Sequence, residues 1–492
     1  MDIKKRLFSA YFWNIGGSWC VRLIGIASTL ILVRFIEPES FGLVALATLC
    51  IGFFETLNSA GIGRYLMTQT DLNQKSLDSA WTLNIIIRLI VSIIIIISAP
   101  YMSSYFNEPR LEDIIYFVAI NGFFTAFYNM GLLRLRKNLK FKKLVLLHMV
   151  SKVFSTLVTL SILFVSPDHW ALLIGSGSYI WMYLIGSYYI YSFRPNLRFV
   201  FEKEMYSFSV FILLRNILSY LRNRGDVFVV SKFFDMSSIG RYKIGLEFAV
   251  LPFTEVISPA GLAIFSGLAN YKHNTEELFD KTYKYLALVY LFVIPSIVGI
   301  WFVAPQFCTV ILGEKWADTA PIMSSLAILM LSYPIRAMTN NLYDYLGKPK
   351  LGIFNDFIGL ALLILISTTI VYDDVTQFSE MRGHIGIVFF LFIVAFARLT
   401  ISFSIARMLE VVLIPVVSSS FMYWVFSYVY FVDEITLLGL VSNVLVGAIS
   451  YSAFFIVLVF IIKPYSKLWK FWFDKAAIVS LTMKNKVVGN NP

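Results

Sequence analysis

The chain is 492 residues long, 58% hydrophobic and only 14% charged, with a mean hydropathy of +0.74. That composition excludes a water-soluble globular protein, which needs more charge to cover its surface, and points to a helical membrane protein. A net charge of +11 would suit nucleic acid, but the cations gather in short loops between apolar runs, so no nucleic-acid partner is expected. Cys20, Cys50 and Cys308 are odd in number and lie in or beside apolar runs. They form neither a disulfide framework nor a metal set.

The apolar runs have the length of about 20 residues that a helix rising 1.5 Å per residue needs to cross the hydrocarbon. After the basic start Lys4-Lys5-Arg6, the first run lacks a small-residue cleavage site and is expected to remain as a signal anchor. In chain order the predicted spans are Tyr11–Phe35, Phe41–Tyr65, Leu77–Ala99, Ile114–Leu135, Leu144–Val165, Trp170–Ser192 and Tyr206–Phe233. They continue as Ile244–Leu268, Tyr285–Leu312, Ala320–Leu346, Gly352–Tyr372, Ile385–Ile405, Val411–Phe431 and Thr436–Ile462. The fold class is therefore an all-α polytopic membrane protein of about fourteen transmembrane helices. Pro252, Pro259, Pro295 and Pro334 interrupt some of them, as neighbouring helices in a bundle allow.

The bias of Lys and Arg sets the orientation. Arg134, Arg136, Lys137, Lys140, Lys142 and Lys143 mark one cytoplasmic loop, and Lys463, Lys467, Lys470 and Lys475 mark the cytoplasmic tail. Asp373, Asp374 and Glu380 fall outside. An even number of spans keeps this alternation and puts both termini in the cytoplasm. The basic loops are read as marks of topology rather than as lipid-binding sites.

A short repeat is also present. Arg34-Phe35-Ile36-Glu37, followed by Ser40-Phe41-Gly42, recurs as Lys232-Phe233-Phe234-Asp235 followed by Ser238-Ile239-Gly240. Six spans separate the copies, so the repeat is parallel, a transporter architecture. The expected division is two six-helix lobes related by a pseudo-two-fold, residues 1–193 and 206–407, joined by a cytoplasmic linker at 194–205. Two further helices occupy 408–463, and a cytoplasmic tail 464–492.

Arg22, Arg88, Lys152, Arg215, Arg222, Arg224, Arg336 and Arg398 stand inside spans, with Glu55, Asp226, Glu247, Glu255, Asp344 and Asp356 as acids at similar depth. A charge at a helix centre costs roughly 2.5–3.5 kcal/mol on insertion scales, so these groups must pair or face a wet cavity. Arg215, Arg222 and Asp226 share one helical face, where Arg222 can reach Asp226. Arg224 points the opposite way and needs a partner elsewhere or a helix break at Gly225. A second polar stripe holds Arg336, Asn340, Tyr343 and Asp344.

One reading of this charge is internal salt bridges that hold helices together. The other is a cationic cavity for an anionic headgroup, since the guanidinium fork binds phosphate bidentately. On that reading the substrate-binding residues are Arg22, Arg88, Arg215, Arg222, Arg224 and Arg336, and the coupling or charge-pair candidates are Glu55, Asp226 and Asp344. The dense aromatics, such as Tyr188-Tyr189-Ile190-Tyr191, fit interfacial belts. His148, His169, His273 and His384 are scattered, and no HExxH, GxSxG or P-loop is present. No catalytic residue, cofactor or metal is expected.

Val33 to Gly61, VRFIEPESFGLVALATLCIGFFETLNSAG, resembles the first helix hairpin of the polysaccharide transporter family, which includes the Wzx-type O-antigen flippases. That family lies in the multidrug/oligosaccharidyl-lipid/polysaccharide exporter superfamily. Gly131 to Val145 is similar to its basic loop after the fourth helix, and Asp226 to Tyr242 to the start of its second lobe. Leu312 to Pro321 resembles its outer turn before the tenth helix, and Tyr345 to Lys350 the inner loop that follows. The resemblance implies a flippase, not an enzyme, in the bacterial inner membrane. It would translocate undecaprenyl-pyrophosphate-linked oligosaccharide by alternating access, for O-antigen, capsule or exopolysaccharide. Its partners would be that substrate, membrane lipids and other polysaccharide assembly proteins, and a monomer is expected. The alternatives are a multidrug or other lipid-linked substrate exporter of the same superfamily, which an excess of arginine disfavours for cationic drugs, and a membrane polysaccharide polymerase or ligase. The latter usually needs a large outer loop, and the longest here, around Val371–Gly386, is short.

Overall fold

The computed structural model describes residues 3–58, 66–67, 72–199, 209–257, 267–268, 271–429 and 431–475. Among them there is helix and no strand. In a bilayer each backbone N–H and C=O must be satisfied within the protein, and the helix does this inside its own segment.

The principal helices are α1 Ile3–Phe35, α2 Pro38–Asn58, α3 Gln74–Phe106, α4 Arg110–Phe124, α5 Phe141–Leu163, α6 His169–Ile190, α7 Ser209–Phe233 and α8 Met236–Ala249. They continue as α9 Thr275–Gln306, α10 Thr319–Tyr345 with a tight 3₁₀ stretch at Ile328–Leu331, α11 Pro349–Thr369, α12 Val375–Ile401, α13 Ile405–Tyr428 and α14 Leu437–Ile462. Among the described residues, ten helical segments are long and apolar enough to cross a membrane: those at α1, α2, α3, α5 and α9 to α14.

Among the predicted boundaries that shift, three do so for a clear local reason. The third span runs on past Ala99 to Phe106, carrying Pro100 inside the helix, and ends where Asn107 adopts the left-handed conformation at φ 52°. The fourth stops at Phe124 rather than Leu135, because the chain tightens into a 3₁₀ turn at Thr125–Phe127 before a short helix Leu132–Lys137. The twelfth starts at Val375, so most of the segment expected as an outer loop around Val371–Gly386 is helix instead. Helix starts elsewhere follow cap chemistry. The side chains of Asn73, Asp168, Ser404 and Thr436 each accept a hydrogen bond from a first-turn N–H.

The chain forms two compact units, residues 1–244 with 356–375, and residues 245–355 with 376–492. In the first, α5 and α6 approach closely through small residues. The Ser155 hydroxyl donates to the Gly175 carbonyl at 2.7 Å, and a Cβ on Gly175 would stand 1.8 Å from the Thr159 hydroxyl. The extended stretch after α6 lies along the start of α3. Arg198 N–H donates to the Thr82 hydroxyl at 2.9 Å, and the Gln74 amide donates to the Arg194 carbonyl at 3.2 Å. In the second unit, fully buried Asn443 ties α14 to the ends of α9 and α13. Its amide donates to Gln306 at 2.9 Å and to the Val432 carbonyl at 3.0 Å, and its carbonyl accepts from Val432 N–H at 3.0 Å.

Candidate functional site

The two copies of the sequence repeat meet in the first unit. A Cβ placed on Gly42 would lie 1.8 Å from the Met236 carbonyl oxygen, and one on Gly240 would lie 1.9 Å from the Pro38 carbonyl oxygen. Each glycine also has the other's backbone nitrogen 3.0 Å from that Cβ position. The contact is reciprocal, as at a local two-fold axis. No residue but glycine allows the first turns of α2 and α8 to approach this closely.

Helix α7 leaves this contact with its charges on two faces. Arg222 and Asp356, about two turns into α11, form a buried ion pair with Nε to Oδ1 at 3.0 Å. Asp226, 2% exposed, accepts from the Tyr242 hydroxyl of α8 at 3.0 Å. Arg222 and Asp226 thus each have a carboxylate or hydroxyl partner on another helix, as well as the shared face that their spacing predicts. The helix does not break at Gly225; it continues to Phe233, and Gly225 sits against Leu363 and Leu360 of α11.

Arg224 faces a different environment. It lines a hollow of about 910 Å³ between α2, α3, α7 and α11 whose walls include Phe53, Tyr105, Phe228 and Leu360. Among the described residues, the only charged groups in this lining are Arg224 and Lys232. Lys232 lies 4.0 Å above the Tyr105 ring and donates to the Tyr105 carbonyl at 3.4 Å.

Arg22 lies in a second hollow of about 480 Å³ between α1, α5 and the Leu132–Lys137 helix, with Ser18, Arg136 and His148 in its wall. His148 Nδ1 is 2.7 Å from the Tyr179 hydroxyl. Arg134, beside Arg136 in sequence, instead holds the fold together, donating from Nε and Nη2 to the Leu72 carbonyl at 3.1 and 2.9 Å.

Arg88 of α3 interacts electrostatically with Glu55 of α2 and leans toward the Gly122 carbonyl at 3.4 Å. The Arg215 side chain lies outside the described residues. Arg336, half-buried, and Asp344, exposed, belong to the second unit on α10. There Tyr343 hydrogen-bonds Thr400 at 3.3 Å and Asn340 packs beside Gly352. The nominated residues therefore fall into several local settings: an ion pair, an apolar hollow, a cationic pocket and a stripe on α10. Spacing on a single helix could not have revealed Arg136 and His148 beside Arg22, or Asp356 opposite Arg222, because each comes from a distant segment. Among the described residues, no three His, Cys, Asp or Glu side chains are grouped to hold a metal ion.

Where the helices α3 and α4 turn, Arg110 bridges two acids. Its Nη2 is 2.7 Å from Glu39 of α2, and its Nε is 2.7 Å from Glu108. These hydrogen bonds hold the Glu108 carboxyl below the usual carboxylate range.

Comparison with known proteins places this fold. The chain is 20% identical to the lipopolysaccharide biosynthesis protein WzxC of Escherichia coli K12 over 436 residues, which is 87% of this chain and 85% of that one. It is 21% identical to the teichuronic acid biosynthesis protein TuaB of Bacillus subtilis, over 75% of this chain and 78% of that one. Among solved structures, a lipid II flippase MurJ in an inward closed conformation superposes with a TM-score of 0.72 at 16% identity, covering 91% of this chain and 98% of that one. An inward-facing multidrug resistance MATE transporter of the MOP superfamily follows with 0.58 at 16% identity, over 77% and 96%. These bear out the resemblance drawn from the sequence. A family profile described as polysaccharide biosynthesis protein matches residues 31–321, more than half of the chain, and the chain belongs to that family.

Proposed function

We propose that this protein is a flippase that moves polyprenyl-pyrophosphate-linked oligosaccharide across the bacterial inner membrane by alternating access. The observation that carries the reading is the chemistry of the apolar hollow in the first unit. Among the described residues its lining holds the Arg224 guanidinium and Lys232 and no carboxylate. A guanidinium at bilayer depth without an acid is stabilised by an anionic guest, and pyrophosphate matches its planar fork. Membership of a polysaccharide biosynthesis family makes a glycan the cargo on that anion.

The finer organisation belongs to the same proposal: fourteen spans, both termini cytoplasmic, two six-helix lobes and an added α13–α14 pair. The reciprocal Gly42–Gly240 contact supports the lobe relation, because equivalent atoms of the two repeat copies touch one another. The cationic residues Arg22, Arg88, Arg215, Arg222, Arg224 and Arg336 serve the substrate or hold its cavity in shape, with Glu55, Asp226 and Asp344 as charge partners. The protein acts as a monomer.

Deleting the gene should abolish one surface glycan and accumulate lipid-linked repeat units on the cytoplasmic leaflet, read by accessibility to a membrane-impermeant periplasmic reagent. Unchanged surface glycan in a strain without a paralogue would refute the reading.

A further inference from the structure

The apolar hollow between α2, α3, α7 and α11 holds a cation in a place that fold stability does not account for. Arg224 is half-buried in a wall built mostly of Phe, Tyr, Leu and Ile side chains, and among the described residues of that wall Lys232 is the other charged one and none is acidic. On the opposite face of the same helix Arg222 has Asp356 at 3.0 Å. The helix could therefore have been fixed by the Arg222 pair alone, at lower desolvation cost.

Position narrows the occupant. Lys232 is the penultimate residue of α7, beside Phe233, at a helix end. Arg224 lies eight residues earlier, about 12 Å deeper along the helix axis. A resident phospholipid keeps its phosphate at the interface, level with Lys232. A phosphate level with Arg224 belongs to a headgroup inside the membrane, the position a lipid passes through while it is being turned over. The aromatic and aliphatic wall between and around the two cations suits a hydrocarbon chain lying against it.

We infer that this hollow is a binding groove for the carrier lipid itself, in which a polyprenyl phosphate or pyrophosphate places its chain along α7 and α11 and its anion on Arg224, then on Lys232. The inference rests on the flippase reading and assigns the groove on α2, α3, α7 and α11 to that substrate class.

The test uses the full-length protein in nanodiscs and decaprenyl phosphate carrying a diazirine on its chain. Photolabelled peptides should contain Phe53, Phe228 or Leu360. Arg224→Gln should lower labelling about tenfold, as loss of one charge-assisted hydrogen bond predicts, with Arg224→Lys between it and the wild type. Ile364→Trp fills the groove wall with Arg224 intact, and should also abolish labelling; it carries the test if Arg224→Gln fails to fold. Excess phosphatidylglycerol should not compete. Labelling that survives both variants, that maps to other helices, or that phosphatidylglycerol displaces at equal ratio overturns the inference. The same preparations are assayed for translocation in vesicles. A wild type that translocates lipid-linked substrate with the groove unlabelled overturns the groove alone, and one that labels the groove but translocates nothing upholds the groove and refutes the flippase.

Discussion

Replacing Gly240 by alanine adds a single methyl group, yet it strikes main chain rather than a movable side chain. The new Cβ would stand 1.9 Å from the Pro38 carbonyl oxygen, where ordinary contact begins at about 3.4 Å, so the starts of α2 and α8 must separate by roughly 1.5 Å. Overpacking against a rigid neighbour costs about 1–3 kcal/mol, and the shift also strains the hairpin turn at Phe35–Pro38. Gly42→Ala should cost a similar amount through Met236. The double variant should cost clearly less than the two added, because one separation relieves both clashes. Gly299→Ala, in α9 with nothing within 4 Å of its Cβ, is the control and should be neutral or stabilising by up to about 1 kcal/mol. The assay is thermal unfolding of the detergent-purified protein, followed by fluorescence-detected size exclusion. Gly240→Ala melting with the wild type, or strict additivity in the double variant, would refute the close approach.

Two further outcomes follow from buried and interfacial charge. Arg222→Ala should destabilise by about 3–5 kcal/mol, since it leaves Asp356 buried without its cation, whereas the paired substitution of both residues by leucine should recover most of that loss; the same melting assay reads both. Glu108 has its pKa depressed by Arg110, so its contribution to stability is fully present above the ordinary carboxylate pKa and is lost as pH falls through the lower, folded value. Melting from pH 6 down to pH 3 should therefore fall more steeply for the wild type than for Glu108→Gln, and equal slopes would remove that linkage.

Much of the architecture was legible because a bilayer imposes it. Apolar runs of the right length, alternating with basic loops, fix helix order before any contact is known. What resisted reading was local backbone chemistry. The helix α3 keeps its course through Pro100 and stops at a left-handed asparagine, and nothing in its hydropathy marks that end. The twelfth helix begins at Val375, and polar residues such as Thr376, Gln377 and Glu380 ride on its first turns, where a hydropathy window reads a loop.

The site shows the same division more sharply. Helical periodicity placed Arg222 and Arg224 on opposite faces of α7, and that separation survives in the structure as an ion pair on one side and an apolar groove on the other. Periodicity alone could not say which face needs a guest, because the answer depends on Asp356 arriving from α11, more than a hundred residues away. The repeat, by contrast, held a tertiary contact in plain view: two glycines at equivalent positions touch each other's backbone. A short match between distant segments is weak evidence of ancestry, but a glycine kept at the same place in both copies points to a close approach, and close approach between equivalent positions implies that the copies face one another. Shared ancestry and packing are therefore separate inferences from the same few residues. Only the packing inference is decided by a single methyl group.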